Sequence, residues 1–300
     1  MSGRRVCDEC DRGSLWLRPG ESPFADKWYC EPCWNSWHET CRGSANWVGW
    51  QVPAAPPGKH FDFIEVGTSD WGTLTQFFAG EPGYRVSSSL GAEVRTSLED
   101  PRQVRGLAVE PVKELLDRLP VLPRVTKVYA AMTESAKNGR EELVTLYLVP
   151  GKTIDANMGD YRIRYPGHEH EDHEIDVMWY AKSLASIGRP HPELKTMLCR
   201  VNRLDLLVTR RVTCLNWTLL CKKYDVSSVD VVQLDCEGKD AAIVRGLVKH
   251  CTSHPRAWPR VIQFEANGLT PEWEVEEAVN LLRMNGYWVH YWTRNILLER

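Results

Sequence analysis

The chain has 300 residues, of which 43% are hydrophobic, and its 37 lysines and arginines nearly balance its 40 acidic residues. This length allows one large α/β domain with a small appendage. A net charge of -3 gives no broad attraction to polyanions, so nucleic acid is not favoured as a partner. There is no apolar run of about 18 residues and no signal-peptide core, which predicts a soluble, cytoplasmic protein without a membrane span.

Residues 1–50 are rich in cysteine and tryptophan and poor in aliphatic side chains. The pairs Cys7-x-x-Cys10 and Cys30-x-x-Cys33 have the spacing of a closed four-thiolate zinc site, similar to treble-clef or zinc-ribbon modules. We expect a structural Zn²⁺ that supplies folding energy to this small module. The alternative is a set of unligated or disulfide-bonded thiols. The arginines of the module could bind nucleic acid, but acidic residues interleave with them, so binding of a protein partner or a purely stabilising role is an equal alternative.

A proline-rich linker over residues 51–59 separates this module from the rest of the chain, 60–300. Short β-rich runs then alternate with amphipathic stretches, which predicts a mostly parallel, doubly wound sheet covered on both faces. The predicted strands begin with FDFIEVG and GLAVEP and continue with VTKVYAAM, LVTLYLVP, VDVVQLD, RVIQFEA and YWVHYW. The predicted helices span residues 71–79, 112–119, 217–224, 239–250 and 272–285.

Residues 151–205 break this rhythm, because they are polar, dotted with glycine and rich in histidine. We interpret them as an insertion or lid over the domain. His168, His170 and His173 could bind a divalent ion or deprotonate an acceptor, although a solvated loop is the simpler interpretation.

A glycine loop follows the first predicted strand of the large domain. Glu65 precedes Gly67, and Thr68 and Ser69 lead toward Gly72 and a helix. Glycines let the backbone approach a ligand closely, and the helix start offers free N–H groups to a carboxylate. Glu65 could serve the ligand's ammonium group or order the loop. A dinucleotide fingerprint would need a glycine where Glu65 stands, so nicotinamide and flavin cofactors are disfavoured.

Acidic residues end two further predicted strands. Glu110 follows GLAV, where a carboxylate can accept hydrogen bonds from both ribose hydroxyls, although it could instead cap the next helix. Asp235 and Glu237 follow VDVVQL and precede Gly238. Two carboxylates at a strand end are costly unless they serve a ligand, a metal or proton transfer.

Taken in order, these elements resemble the FkbM-like methyltransferases that depend on S-adenosylmethionine (SAM). The elements that carry the resemblance are Glu65-Val66-Gly67 through Gly72, Glu110-Pro111, Asp235-Cys236-Glu237-Gly238, Thr213-Cys214-Leu215-Asn216, and Ile262 to Asn267. The resemblance implies a Rossmann-like class I methyltransferase fold, SAM as cofactor and methyl transfer to a hydroxyl oxygen. The chain departs from the family in its Thr-Ser-Asp-Trp loop, in Asn216 in place of an acid, and in a long segment between Gly67 and Glu110.

The resulting hypothesis assigns cofactor binding to Glu65, Gly67, Thr68, Ser69, Gly72, Glu110 and Asp235, and catalysis to Asp235 and Glu237. We expect Asp235 to lie nearest the transferred methyl group and Glu237 to point elsewhere by strand alternation. In the alternative, both acids only brace the turn. A small-molecule or glycan acceptor would enter beneath 151–205. The rival function is a catalytically inactive Rossmann-like binding protein anchored by its zinc module.

Overall fold

The computed structural model describes residues 17–19, 28–30, 58–69, 74–79, 103–135, 139–164, 174–266, 268–292 and 295–300. By its internal contacts the chain forms two compact units, Met1–Ala54 and Ala55–Arg300. In the first unit, strands β1 (Leu17–Pro19) and β2 (Trp28–Cys30) pair antiparallel.

The predicted zinc site falls largely outside the described residues. Cys7, Cys10 and Cys33 are not among them, and of Cys30 only its backbone place in β2 is described. Zinc binding by these four cysteines therefore stays a prediction.

A seven-stranded sheet forms the centre of the second unit. Its strands are β3 (Lys59–Val66), β4 (Gly106–Glu110), β5 (Val125–Tyr129), β12 (Val226–Leu234), β13 (Val261–Glu265), β14 (Trp288–Trp292) and β15 (Asn295–Glu299). Their order across the sheet is β14-β15-β13-β12-β3-β4-β5. The neighbours from β13 to β5 are parallel, whereas β15 runs antiparallel between β13 and β14. The prediction of an α/β fold with a mostly parallel sheet is confirmed.

Both faces of this sheet are buried, as the near-continuous apolar runs of its strands require. In β3, Ile64 and Val66 point into the larger core cluster, which includes side chains from the helices at 217–224, 240–253 and 272–284. Phe63, which alternates with them, packs on the other face, where its ring stacks on Phe78 at 5.6 Å between centroids. Strand alternation thus divides one segment between two cores.

Eight α-helices are described. They are α1 (Leu74–Ala79), α2 (Lys113–Arg118), α3 (Gly151–Ala156), α4 (Val177–Ala181), α5 (Pro192–Arg200), α6 (Trp217–Tyr224), α7 (Asp240–Ser253) and α8 (Glu272–Met284). The helix α6 spans the residues that the sequence predicted, and its start is fixed by Asn216, whose side chain accepts a hydrogen bond from the Leu219 N–H at 2.9 Å. No helix in the described ranges is long and apolar enough to cross a bilayer.

A second, four-stranded sheet lies between β5 and β12 along the chain. Its strands are β6 (Ala131–Met132), β7 (Glu142–Leu148), β10 (Ser186–Ile187) and β11 (Val208–Leu215), in the order β10-β7-β11-β6. The run LVTLYLVP therefore forms a strand, as expected, but in this smaller sheet, where it pairs antiparallel with β11. The run VTKVYAAM is divided between β5 and β6, so it contributes to both sheets.

The segment 151–205 contains several helices and strands of its own. Besides α3, α4, α5 and β10, it contains the antiparallel pair β8 (Arg162–Arg164) and β9 (Glu174–Asp176). Its buried side chains, among them Ile154, Met178 and Leu194, form a core cluster of their own. These apolar residues are sparse in the sequence but converge in the fold. The interpretation of 151–205 as an insertion or lid stays a prediction.

Candidate functional site

Strand order reverses between β3 and β12, since the chain continues from β3 toward β4 on one side and from β12 toward β13 on the other. In parallel α/β sheets, ligands bind in the crevice at the carboxyl end of such a switch point. Gly67 follows β3 there, with a φ of +80°. A Cβ at this position would lie 1.8 Å from the Asp235 carbonyl oxygen. Only glycine lets the two strand ends approach this closely.

Glu65 orders the glycine loop. It is 2% exposed, and its two carboxylate oxygens lie 3.1 and 3.2 Å from the Leu74 N–H that begins α1. Burial raises the pKa of this carboxyl group to about 8. Of the two roles considered for Glu65, the structure thus supports the ordering of the loop, although the residue also lines the cavity described below.

Glu110 connects the loop to the next strand. One carboxylate oxygen accepts a hydrogen bond from the Ser69 N–H at 2.9 Å, and the other accepts one from the Val112 N–H at 2.8 Å. The second contact is the helix-capping role that the sequence left open, at the start of α2.

Three carboxylates gather at the ends of β12 and β13. Oxygens of Asp235, Glu237 and Glu265 all lie within 4.8 Å of one another. The expectation that Glu237 points elsewhere was wrong, because strand alternation places residues two apart on the same face, and β12 in any case ends at Leu234, before both acids. Glu265 joins them because β13 pairs in parallel register with β12.

The turn after β12 is braced by Asp240, which the sequence analysis missed. Asp240 is fully buried, and its carboxylate oxygens lie 3.1 and 3.3 Å from the Cys236 N–H. Burial raises its pKa to about 7, and the nearby Asp235 adds to this shift. An acid in the first turn of a predicted helix was the available signal.

These groups line one cavity of about 560 Å³. The glycine loop and the carboxylate cluster form one side, and the wall from the 151–205 segment includes Trp179, Tyr180 and Ser183. Its acidic lining residues are Glu65, Glu110, Glu193, Asp235, Glu237 and Glu265, against Lys182 and Lys239 as the basic ones among the described residues. The cavity is therefore suited to a ligand with positive charge.

Several polar atoms at this edge have no hydrogen-bond partner. Thr68 Oγ1, Ser69 Oγ and Gln233 Oε1 are buried and unpaired within the described part of the chain, and all three residues line the cavity. Buried polar atoms normally have partners, and an unpaired one often marks a place that a ligand or water completes.

Some predicted site residues cannot be placed. Gly72 and the histidines His168, His170 and His173 lie outside the described residues. Of the predicted site, the structure brings together Glu65, Gly67, Thr68, Ser69, Glu110, Asp235 and Glu237 around one cavity.

No family model and no curated protein sequence matches this chain. Among solved structures, the crystal structure of methyltransferase FkbM from Methylobacillus flagellatus KT is similar over 80% of this chain and 44% of its own length. The similarity has a TM-score of 0.36 and 10% sequence identity. The chain thus spans less than half the length of that protein, and at this TM-score the function of that protein does not transfer.

Proposed function

We propose that this chain is a SAM-dependent methyltransferase that binds the cofactor at the switch point between β3 and β12. The observation that carries the proposal is the acidic cavity at that point. It is bordered by the glycine loop, in which a Cβ added at Gly67 would collide with the Asp235 carbonyl oxygen. A glycine turn that lets the backbone approach closely suits a small ligand, while the surrounding acids suit its cationic groups.

The residues present fit SAM in their chemistry. SAM carries a sulfonium and an ammonium group, whereas nicotinamide and flavin dinucleotides carry phosphates that this lining would repel. The unpaired Thr68 Oγ1 and Gln233 Oε1 offer hydrogen bonds to a polar ligand. Glu110, at the end of β4, would accept hydrogen bonds from the ribose hydroxyls.

The strand order supports the same class. Counted in chain order within the central sheet, the strands run third, second, first, fourth, fifth, seventh, sixth, with only the seventh antiparallel to the others. This is the arrangement of the class I methyltransferase fold, to which the sequence motifs pointed. Fold alone does not establish activity, so the support for methyl transfer comes from the cavity.

SAM, when bound, supplies an electrophilic methyl group on its sulfonium sulfur. The protein's task is then mostly positioning, since the reacting atoms must be held in line at about 3 Å. Asp235 would face the reacting groups and either orient the ammonium, accept the acceptor's proton or hold a metal together with Glu237 and Glu265. The wall that contains Trp179 and Ser183 would exclude water and contact the acceptor, which we propose is a hydroxyl of a small molecule or glycan.

A catalytically inactive binding protein is the second candidate. The feature that favours it is the Thr-Ser-Asp-Trp loop, which departs from the family pattern. Calorimetry with SAM and S-adenosylhomocysteine, followed by a sensitive assay for S-adenosylhomocysteine formed from SAM in the presence of candidate hydroxyl acceptors, separates the two. Binding with turnover supports the enzyme, binding with none supports the inactive protein, and absence of binding to either compound rejects the SAM site.

The N-terminal unit is proposed to hold one Zn²⁺ through Cys7, Cys10, Cys30 and Cys33. The support is the spacing of the two Cys-x-x-Cys pairs in a segment with little apolar material. Elemental analysis of metal-replete protein should find one zinc per chain fewer in Cys30→Ser than in wild type. A zinc content unaffected by that change would contradict this assignment.

A further inference from the structure

A second cluster of chemically capable side chains lies at the other end of the same two strands. His60 and Asp62 lie near the start of β3, and Asp230 lies in β12. None of them lines the cavity at the carboxyl edge. We propose that His60, Asp62 and Asp230 form a binding site for a divalent transition-metal ion such as Zn²⁺.

The sheet register forces the two carboxylates together. His60 pairs with Ser228, and the pairs on both sides of Asp62 and Asp230 are in register, so these two aspartates lie opposite each other on adjacent parallel strands. Alternation places His60 and Asp62 on the same face. Like charges directly opposite in a sheet are destabilising, and within the described ranges no lysine or arginine forms an ion pair with either aspartate. A cation between them would remove this cost.

The ligand atoms converge at distances that a metal ion requires. His60 Nε2 lies 3.4 Å from Asp230 Oδ2 and 4.0 Å from Asp62 Oδ1, and one ligand atom from each residue lies within 4.8 Å of the others. Two ligands bound at about 2.1 Å to a tetrahedral ion are separated by roughly 3.4 Å. The separation of His60 and Asp230 matches this value, and Asp62 Oδ1 lies nearby as the third ligand atom.

In His60 and Asp62, the polar side-chain atom that would not bind the ion already has a hydrogen-bond partner. His60 Nδ1 lies 2.9 Å from Ser228 Oγ, and a proton on Nδ1 leaves the Nε2 lone pair for a metal. Asp62 Oδ2 accepts a hydrogen bond from the Arg105 N–H at 2.6 Å, which leaves Oδ1 for the ion. The β12 register shifts between Val226 and Ser228, and this irregularity brings Ser228 opposite His60.

The ligand set determines the class of ion. One imidazole and two carboxylates suit Zn²⁺ and similar divalent transition-metal ions. The His60 side chain is 49% exposed and that of Asp230 36%, so an ion could enter from solvent and keep water in its remaining positions. By bridging β3 and β12, it would stabilise the folded second unit.

The test is a Zn²⁺ titration of the full chain, already loaded at the proposed N-terminal zinc site, followed by calorimetry and thermal unfolding. The variants are His60→Gln and Asp230→Asn, with Asp205→Asn as a matched change at an exposed aspartate that pairs with Arg203. We expect wild type and Asp205→Asn to bind one more Zn²⁺ than His60→Gln and Asp230→Asn, or to bind it at least tenfold more tightly. Zn²⁺ should raise the melting temperature of wild type and Asp205→Asn but not that of the two site variants.

Asp230→Asn also removes the carboxylate repulsion, so without metal it should melt at or above the wild-type temperature, which confirms its folding. If Asp230→Asn is not folded, His60→Gln alone decides. Equal zinc stoichiometry and affinity in all folded proteins would overturn the proposal and leave His60 as an ion-pair partner of the two aspartates only.

Discussion

The strands β3 and β12 carry acidic residues at both ends, but burial gives the two ends different chemistry. At the carboxyl end, Glu65 and Asp240 are buried, and backbone N–H groups donate hydrogen bonds to their carboxylate oxygens. At the amino end, Asp62 and Asp230 are partly exposed and share one histidine. The same residue type therefore supports a loop in one place and offers metal ligands in the other.

The acidic residues at the carboxyl end are of two kinds, buried and exposed. Burial raises the pKa of Glu65 to about 8 and that of Asp240 to about 7, so both hold protons more tightly in the folded protein than in the unfolded chain. Asp235 is exposed to the cavity, and Glu237 and Glu265 are partly exposed. We infer that the first pair maintains the shape of the site, whereas the cluster of three acts on ligands.

The largest effect is expected from Gly67→Ala, because the new Cβ would collide with the Asp235 carbonyl oxygen at a φ of +80°. We expect a loss of more than about 3 kcal/mol of unfolding free energy and no measurable binding of S-adenosylhomocysteine. Urea denaturation and calorimetry measure the two effects.

Gly159→Ala is the matched control for this change. Gly159 has a φ of +86° with no atom within 4 Å of an added Cβ, so it tests the left-handed backbone without the collision. It should cost only about 1–2 kcal/mol. Equal losses in the two variants would show that the close approach of β3 and β12 is unimportant.

Asp235→Asn should reduce turnover by roughly a hundredfold or more, because it keeps the size of the side chain but removes its charge and basicity. Binding of S-adenosylhomocysteine should change much less if Asp235 acts on the acceptor's proton. Initial rates on the true acceptor, together with calorimetry, distinguish these effects. Wild-type turnover in this variant would leave Asp235 with a structural role.

Glu110→Ala should weaken S-adenosylhomocysteine binding by roughly tenfold or more, because charge-assisted hydrogen bonds to the ribose and to the Ser69 N–H are lost together. Glu110→Gln, which keeps an acceptor oxygen, should lose less. Asp117→Asn, an exposed change in the neighbouring α2, serves as control. Unchanged affinity in Glu110→Ala would move the ribose site elsewhere.

Glu65→Gln should alter the pH dependence of stability. A carboxyl group whose pKa is raised from 4.5 to about 8 by folding stabilises the protein fully below pH 4.5, and this contribution is lost as pH rises toward 8. Each pKa unit by which the folded and unfolded values differ corresponds to about 1.4 kcal/mol of stability. Urea denaturation at several pH values should therefore show that the unfolding free energy declines less with rising pH in Glu65→Gln than in wild type. An equal decline in both proteins would contradict a buried Glu65 that retains its proton.

Much of the central sheet was predictable because its strands are local apolar runs. The segments that became β3, β4, β12 and β13 are short, β-branched and bounded by glycine or acids, and α6 has both an amphipathic pattern and a capping residue. The site residues Glu65, Gly67 and Glu110 were predictable for the same reason, since they stand directly after or within these runs.

The remaining features depend on pairing between distant segments. Strands β11 and β15 were not predicted, and nothing local in Glu142–Leu148 indicates that its partner is β11 and not a strand of the central sheet. Glu265 joins Asp235 only through the register of β13 on β12. The opposition of Asp62 and Asp230 has the same origin, because the two residues are far apart in sequence.

A crystal structure of the protein with S-adenosylhomocysteine tests the central claim most directly. The proposal predicts the ligand in the cavity of about 560 Å³, with its ribose hydroxyls within hydrogen-bond distance of Glu110 and its sulfur facing the side of Asp235. A ligand bound elsewhere on the chain, or a cavity left empty at saturating concentration, would contradict the SAM site and with it the proposed methyl transfer.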